Sequence, residues 1–404
     1  MTSRTLLTVT MVLVSISAVA APCPTRPSWP TESWPKGGTN NKATELKALE
    51  DYAFTTFGED RQRYGVRTDG LMIIKGGNII YERYARGWSA NNRHISWSVA
   101  KSISSALVGV AANRGLLNLE DSICTSLTQY AGKPICATKV KHFLTFGSGV
   151  QWQEGYEDGS YQSSSVISML LGEGHRDQIG FVLDQHQAFA PGSQFIYSTG
   201  DAAVLAAIAK AALKPAYGND AFWLQLFDKI GMSRTVFEED PTGNPLGGSY
   251  VYATLRDYAK FGYLFLNDGC WSGERLLPEG WVQASTTISD TFKSNRGYCS
   301  DAEPPAGTIV VPCARTPSGY MWWVNQSPAA EITKPYKDLP DDAYVAIGHW
   351  GQYIAVFPSL DVVVARTGDE RNFCPDNAVD GKVDGVNCDF SMNKLMSLAL
   401  KVAK

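Results

Sequence analysis

The sequence predicts an α+β fold: an antiparallel β-sheet built from N- and C-terminal strands, flanked by helices, with an all-helical lobe inserted between. Three observations predict it. β-rich runs occur early, Leu71 to Ile74 and Ile79 to Tyr81, and again late, Tyr353 to Phe357 and Val362 to Ala365. Each pair surrounds a turn, Lys75-Gly76-Gly77-Asn78 in the first and Pro358-Ser359 in the second, so both read as hairpins. The intervening chain carries helical periodicity over Val99 to Asn113, Ser163 to Leu171, Ala202 to Leu213, Ala221 to Ile230 and Leu255 to Leu266. Strands at both ends with helices between require a sheet closed by the two termini.

The remaining segments frame that body. Residues 22–40 are rich in Pro, Trp and Gly and read as a strap over the surface, followed by an amphipathic helix from Ala43 to Phe57. A closing helix is expected from Ser391 to Val402. The expected organisation is a leader over 1–20, the strap and helix over 21–62, and a body over 63–404 whose helical lobe covers about 115–245. With 404 residues, 44% of them hydrophobic and 19% charged, the chain is long enough for a large core or two lobes.

Arg4, the apolar stretch from Leu6 to Val14 and the small residues Ala18-Val19-Ala20 have the pattern of a cleavable signal peptide. Thr8, Thr10, Ser15 and Ser17 dilute the stretch, which is shorter than the roughly 20 residues that span a bilayer. Cleavage after Ala20 and export to a periplasm or beyond are expected, with no stable membrane insertion. Pro22 before Cys23 does not fit a lipid-anchor signal. The net charge of -4 is spread along the chain without a run of Lys or Arg, which argues against a nucleic acid partner. Nothing fixes an oligomeric state.

All eight cysteines lie beyond the expected cleavage point, an even number suited to an oxidising compartment. Sequence proximity pairs Cys124 with Cys136, Cys299 with Cys313 and Cys374 with Cys388, leaving Cys23 for Cys270 and pinning the strap. No C-x-x-C is present and the five histidines are scattered, so neither a metal nor an organic cofactor is called for.

Ser98-Val99-Ala100-Lys101 opens a helix on which Ile103, Ala106, Leu107 and Val110 recur toward the core. Residues three apart share a helix face, so the Lys101 amine can reach the Ser98 oxygen. The helix N-terminus adds backbone N–H groups and positive dipole near an oxyanion. The bland reading is an N-capping serine, and it fits the other S-x-x-K matches better: Ser33 to Lys36 contains Pro35, and Ser391 caps the closing helix. Two further groups stand out, Phe195-Ile196-Tyr197-Ser198-Thr199 before a helix and Gly348-His349-Trp350-Gly351-Gln352 before a strand placed at the sheet edge. Taken alone, Tyr197 would be a core tyrosine.

In order and context these three groups resemble the active-site motifs of the serine β-lactamase and penicillin-binding protein superfamily. The likeness is greatest to its class C-like branch of esterases, D-aminopeptidases and 6-aminohexanoate-dimer hydrolases. It extends over Trp97, Gly149-Val150-Gln151-Trp152 through Tyr156-Glu157-Asp158, Gly247-Gly248 with Thr254-Leu255-Arg256-Asp257, and Leu276-Leu277-Pro278-Glu279-Gly280-Trp281. The resemblance implies a β-lactamase/transpeptidase-like fold and an acyl-serine mechanism. Ser98 would attack the carbonyl, Lys101 and Tyr197 would share the proton traffic, and the backbone N–H groups of Ser98 and Gln352 would form the oxyanion hole. An unperturbed Lys or Tyr is protonated at neutral pH, so burial or a neighbouring charge must shift one of them, and either can be the base.

Departures from the pattern bear on the substrate. The branch members that act on β-lactams place Lys at the position of His349, where a permanent cation meets the drug's carboxylate; a histidine with a pKa of about 6.5 is mostly neutral at pH 7. Thr199 replaces a usual Asn and removes an amide donor. Tyr156 matches a substrate-contacting tyrosine of the 6-aminohexanoate-dimer hydrolases. The candidate substrate-binding residues are therefore Tyr156, Thr199, His349, Trp350 and Gly351, with Trp322 and Trp323 divided between a slot and the core. Glu157 and Asp158 could attract an ammonium group, though loop acids are more often solvated. A small ester, amide or short peptide is the expected substrate of a serine hydrolase. A β-lactamase or D-amino-acid peptidase is the alternative, and a non-catalytic penicillin-binding-like sensor is the third reading.

Overall fold

The structure is a computed structural model that describes residues 22–38, 42–156, 163–299, 309–329, 332–371, 374, 378–379, 382–383 and 386–404. The proposed leader, together with Glu157 and Asp158, lies outside the described residues.

A six-stranded antiparallel sheet forms from β1 (Thr68–Lys75), β2 (Asn78–Tyr84), β3 (Trp323–Val324), β4 (Tyr344–Gly348), β5 (Gln352–Phe357) and β6 (Val362–Gly368), in the spatial order β3-β4-β5-β6-β1-β2. The two termini meet where β6 pairs with β1, Val364 opposite Ile73. The Gly76-Gly77 turn has φ of 57° and 79°, a left-handed conformation that glycine adopts without a Cβ penalty.

Strand alternation gives the sheet two apolar faces. Leu71, Ile73, Val345, Ala355 and Val364 pack on α1 (Ala43–Ala53) and α5 (Met392–Ala403). Met72, Ile74, Ile354, Val356 and Val363 face the larger core, with α2 (Val99–Asn113), α3 (Thr199–Tyr217) and α4 (Leu255–Leu266). Gly262 lets α4 lie close on the sheet, since a Cβ there would come within 2.6 Å of Ile354. On α2 every residue from Val99 to Ala111 is buried, as expected of a helix packed on all sides. The intervening chain supplies the helices, and the short strands His94–Ile95, Val251–Ala253 and Val236–Phe237 form a separate three-stranded sheet.

Three expectations change. The first helix stops at Ala53, because the chain extends at Thr56–Phe57 to pair with Tyr64–Gly65. The helix expected from Ala202 starts at Thr199, capped by the Ser198 side chain on the Asp201 N–H. The strand after the His349 group is not at the sheet edge: Tyr344–Gly348 forms a hairpin with it, so β5 is interior. That hairpin turns through Trp350 and Gly351, with φ of 57° and 92°.

The cysteines pair as proximity predicted, Cys23–Cys270, Cys124–Cys136, Cys299–Cys313 and Cys374–Cys388. The first ties the strap to the body, aided by Arg26 with Asp361 at 2.8 Å and Trp271 donating to Thr31 at 2.7 Å. Among the described residues no helix is long and apolar enough to cross a membrane.

Candidate active site

Ser98 stands where the extended chain through His94–Ile95 turns into α2. Its side chain makes no capping hydrogen bond, so the bland reading of an N-cap does not account for it, whereas Ser391 does cap α5 on the Lys394 N–H. The preceding Trp97 has φ of 44°, a left-handed conformation uncommon for a bulky residue and costing on the order of 1 kcal/mol or more. Rings hold it there: Trp350 at 5.2 Å, His349 at 5.6 Å and Tyr156 at 5.9 Å between centroids. Gly348 lets the β4–β5 hairpin press against this turn, since a Cβ would fall 2.2 Å from the Ser96 carbonyl oxygen.

Lys101 lies one turn on, with its Nζ 2.8 Å from Ser98 Oγ, 2.7 Å from Thr199 Oγ1 and 3.1 Å from the Gly248 carbonyl oxygen. Gly247 and Gly248 make the last contact possible: a Cβ on Gly248 would lie 2.3 Å from Thr199 Cγ2, and one on Gly247 2.3 Å from Ala206 Cβ. A Cβ on Gly247 would also lie 2.7 Å from Ser104 Oγ on α2, so the backbone slips between α2 and α3 and delivers a carbonyl to the amine.

Glu154 completes the cluster. Its carboxylate is 3.6 Å from Lys101 Nζ and accepts hydrogen bonds from Thr199 Oγ1, from Thr199 N at 2.9 Å and from Trp152 Nε1 at 2.5 Å. Burial lowers the Lys101 pKa to about 8, with Glu154 pulling the other way through its charge and a hydrogen bond. Burial pushes the Tyr197 phenol well above its ordinary value, and the Glu154 charge adds to this, while a hydrogen bond with Ser98 opposes it. Tyr197 is thus beside both groups, its ring centroid 4.8 Å from Lys101 Nζ and packed against Phe146 and Trp323. At neutral pH the pair therefore holds a hydroxyl donor at Tyr197 and an amine whose two protonation states are close in energy.

The cleft over Ser98 has a volume of about 330 Å³ and is lined by Glu154, Tyr156, Tyr197, Thr316, Trp323 and His349, among others. Tyr156 and His349 stack with centroids 4.9 Å apart. No Lys or Arg is among the described lining residues.

Three of the candidate substrate-binding residues stand elsewhere. Thr199 is fully buried and commits its hydroxyl to Lys101 and Glu154. Trp350 and Gly351 do not line the cleft: the turn carries the Trp350 ring under the Arg371 guanidinium, 3.2 Å from the ring centroid, and packs Gly351 on Arg366. Gln352 is buried, its side chain bonded to the carbonyl oxygens of His349 and Gly368 at 3.1 and 2.8 Å. The two tryptophans divide, Trp322 into the core and Trp323 into the cleft. Sequence reasoning missed Glu154, Thr316 and the Gly248 carbonyl. Glu154 sat inside a stretch already singled out, between Trp152 and Tyr156, but nothing in the pattern separates it from Glu157 and Asp158.

The β-lactamase family profile matches residues 53–378. The 6-aminohexanoate-dimer hydrolase of Paenarthrobacter ureafaciens is 24% identical over 307 residues, 74% of this chain and 72% of that protein. Among solved structures, a family VIII carboxylesterase superposes with a TM-score of 0.58 at 13% identity, covering 91% of this chain and 99% of its own. A penicillin-binding protein homolog from Caulobacter crescentus gives a TM-score of 0.57 at 12% identity, over 83% and 93% of the two chains.

Proposed function

The chain belongs to the β-lactamase superfamily of serine hydrolases, related to esterases and 6-aminohexanoate-dimer hydrolases, and from that premise we propose that it cleaves a carboxylic ester or amide through an acyl-Ser98 intermediate. The observation that carries the choice of substrate is the cleft lining: a carboxylate and aromatic rings, with no permanent cation among the described residues. A β-lactam brings a carboxylate that such a lining leaves unpaired, whereas a neutral ester or amide loses nothing there.

Neutral Lys101 takes the Ser98 proton as Oγ bonds to the carbonyl carbon. The backbone N–H of Ser98, at the start of α2, helps hold the oxyanion, while Gln352, expected to supply the second donor, is not among the residues that line the cleft. As the carbonyl recovers, the bond to the leaving oxygen or nitrogen breaks; that atom takes the Tyr197 phenolic proton, and the Lys101 ammonium returns its own to the phenolate. Water then repeats the sequence and releases the acid. Lys101 is the better base because burial lowers its pKa while raising that of Tyr197. Tyr156 and His349 form the opposite wall for the acyl side. Export, and with it a signal peptide over 1–20, is supported by the four disulfides; the hydrolase domain is proposed to cover 63–404.

The test is labelling with a fluorophosphonate probe, mapped by mass spectrometry, alongside turnover of aryl esters, nitrocefin and a D-Ala-D-Ala peptide. Ser98 should carry the label, an aryl ester should be the best substrate, and Ser98→Ala should lower its kcat/KM by at least about a thousandfold. A label elsewhere, or nitrocefin turned over faster than every ester, would overturn the reading.

A further inference from the structure

Beside the cleft lies a second cavity of about 330 Å³, lined by Trp152, Phe195, Ile196, Val311, Ala314 and Trp323, among others. Both cavities are lined by Glu154, Tyr197, Thr316 and Trp323, so the second adjoins the first past the Tyr197 ring. Its surface is largely aromatic and aliphatic. Of the charged groups on it, Arg315 is exposed, and Glu154 already has both oxygens engaged by Trp152 and Thr199. Gln153, Arg315 and Thr316 add polar groups, but most of the wall is apolar, so an alkyl or aryl group gains more there than a polar or ionic one.

The segment 311–316 forms one wall, and it is fixed from several directions. The Cys299–Cys313 disulfide ties it to the neighbouring chain, Tyr298 N donates to the Val311 carbonyl at 2.8 Å, and Ala314 N donates to the Arg296 carbonyl at 2.7 Å. A further bond, from Phe195 N to the Asn295 carbonyl at 2.8 Å, links the same stretch to the Tyr197 segment. The chamber is built onto the site rather than left over by it.

Direction follows from the chemistry. Tyr197 is the group that hands a proton to the leaving atom, so the leaving portion of the substrate lies on the Tyr197 side, where this chamber is. We propose that the chamber receives an apolar alcohol or amine portion of the substrate, making the enzyme selective for esters and amides whose leaving group carries an alkyl or aryl arm. The clipped segment 311–316 sets the length of arm accepted. This rests on the hydrolase reading above.

The experiment is a series of acetate esters with one acyl group and growing alcohols, ethyl to butyl to hexyl, assayed by release of acetate. The hexyl-to-ethyl ratio of kcat/KM should exceed about tenfold, since each buried methylene is worth roughly a threefold to fourfold gain. Ala314→Trp, which fills the chamber, should bring that ratio near one, and the double variant Cys299→Ser, Cys313→Ser should flatten it. Thermal melts and the rate of Ser98 labelling by fluorophosphonate identify any variant that fails to fold; Val311→Trp then replaces it. Labelling of Ser98 and turnover of ethyl acetate without dependence on the alcohol, or a ratio unchanged by Ala314→Trp and Val311→Trp, would overturn this inference alone. Absence of Ser98 labelling and of all ester turnover would overturn the hydrolase reading and this one with it.

Discussion

Lys101, buried beneath the cleft, and Lys260, at the seam between strap and body, look alike by most measures. Both are buried on helices, burial lowers both pKa values, and each has a carboxylate within 4 Å, Glu154 at 3.6 Å and Asp257 at 3.9 Å. Their hydrogen-bond partners differ in kind. Lys260 donates to the carbonyl oxygens of Thr31 and Gly231, which have no proton to exchange. Lys101 touches the hydroxyls of Ser98 and Thr199 and lies beside the Tyr197 phenol. A buried, depressed lysine marks a costly group; what it does is set by whether its neighbours can give and take protons.

The sharpest way to break that comparison is to truncate both amines. Lys101→Met should lower kcat/KM for an ester by about 10² to 10⁴, the usual worth of a general base. Lys260→Met should leave kcat/KM within about twofold once the protein is folded, because no group at the seam enters the reaction. Equal losses in the two variants, with both folded by circular dichroism, would remove the distinction.

The next largest effect concerns pH. If Lys101 works as a neutral base, kcat/KM rises with pH through its pKa of about 8. Glu154 raises that pKa, so Glu154→Gln removes the raising charge and moves the acid limb to lower pH. Each unit of movement is worth about tenfold in rate at a pH well below the limb, relative to the plateau. A pH–rate profile of both proteins checks this. A limb that stays in place would show that Glu154 only positions Thr199.

The sequence and the geometry part company at identifiable places. Both terminal hairpins were legible because β-branched runs flank a Gly-Gly or Pro-Ser turn, and α2 because its apolar spacing is helical. Strand β4 was not: Tyr344–Gly348 carries the strand-favouring Tyr344, Val345 and Ile347, but it is short and runs straight into the His349 group, whose motif drew the reading instead. Missing it placed the next strand at the edge. Ser98, Lys101 and Tyr197 could be singled out because one helical turn and a family motif locate them. The family resemblance puts Trp350, Gly351 and Thr199 at the cleft, yet a tight turn carries the first two away and the Thr199 hydroxyl is committed to Lys101 and Glu154. Glu154 depends on how a loop folds back over Thr199, which no local pattern encodes.

The smallest effect tests the other half of the comparison, that Lys260 is a tie and nothing more. Met at 260 leaves the Thr31 and Gly231 carbonyl oxygens without this donor, a cost of about 1 to 3 kcal/mol for an unsatisfied buried group. For a chain of this length that amounts to a fall in Tm of about 1 to 4 °C. The pH dependence carries more information than the size. The folded pKa of Lys260 lies below its ordinary 10.5, so between the two values the unfolded chain binds a proton that the folded chain does not. Wild-type stability therefore gains with rising pH across that window, and below it the amine is charged in both states and the gain is absent. Lys260→Met lacks the term, so the difference in Tm between wild type and variant should widen as the pH approaches 10.5. A difference that narrows instead would mean that the amine is stabilised at the seam as a cation, by Asp257 rather than by the carbonyl oxygens of strap and body.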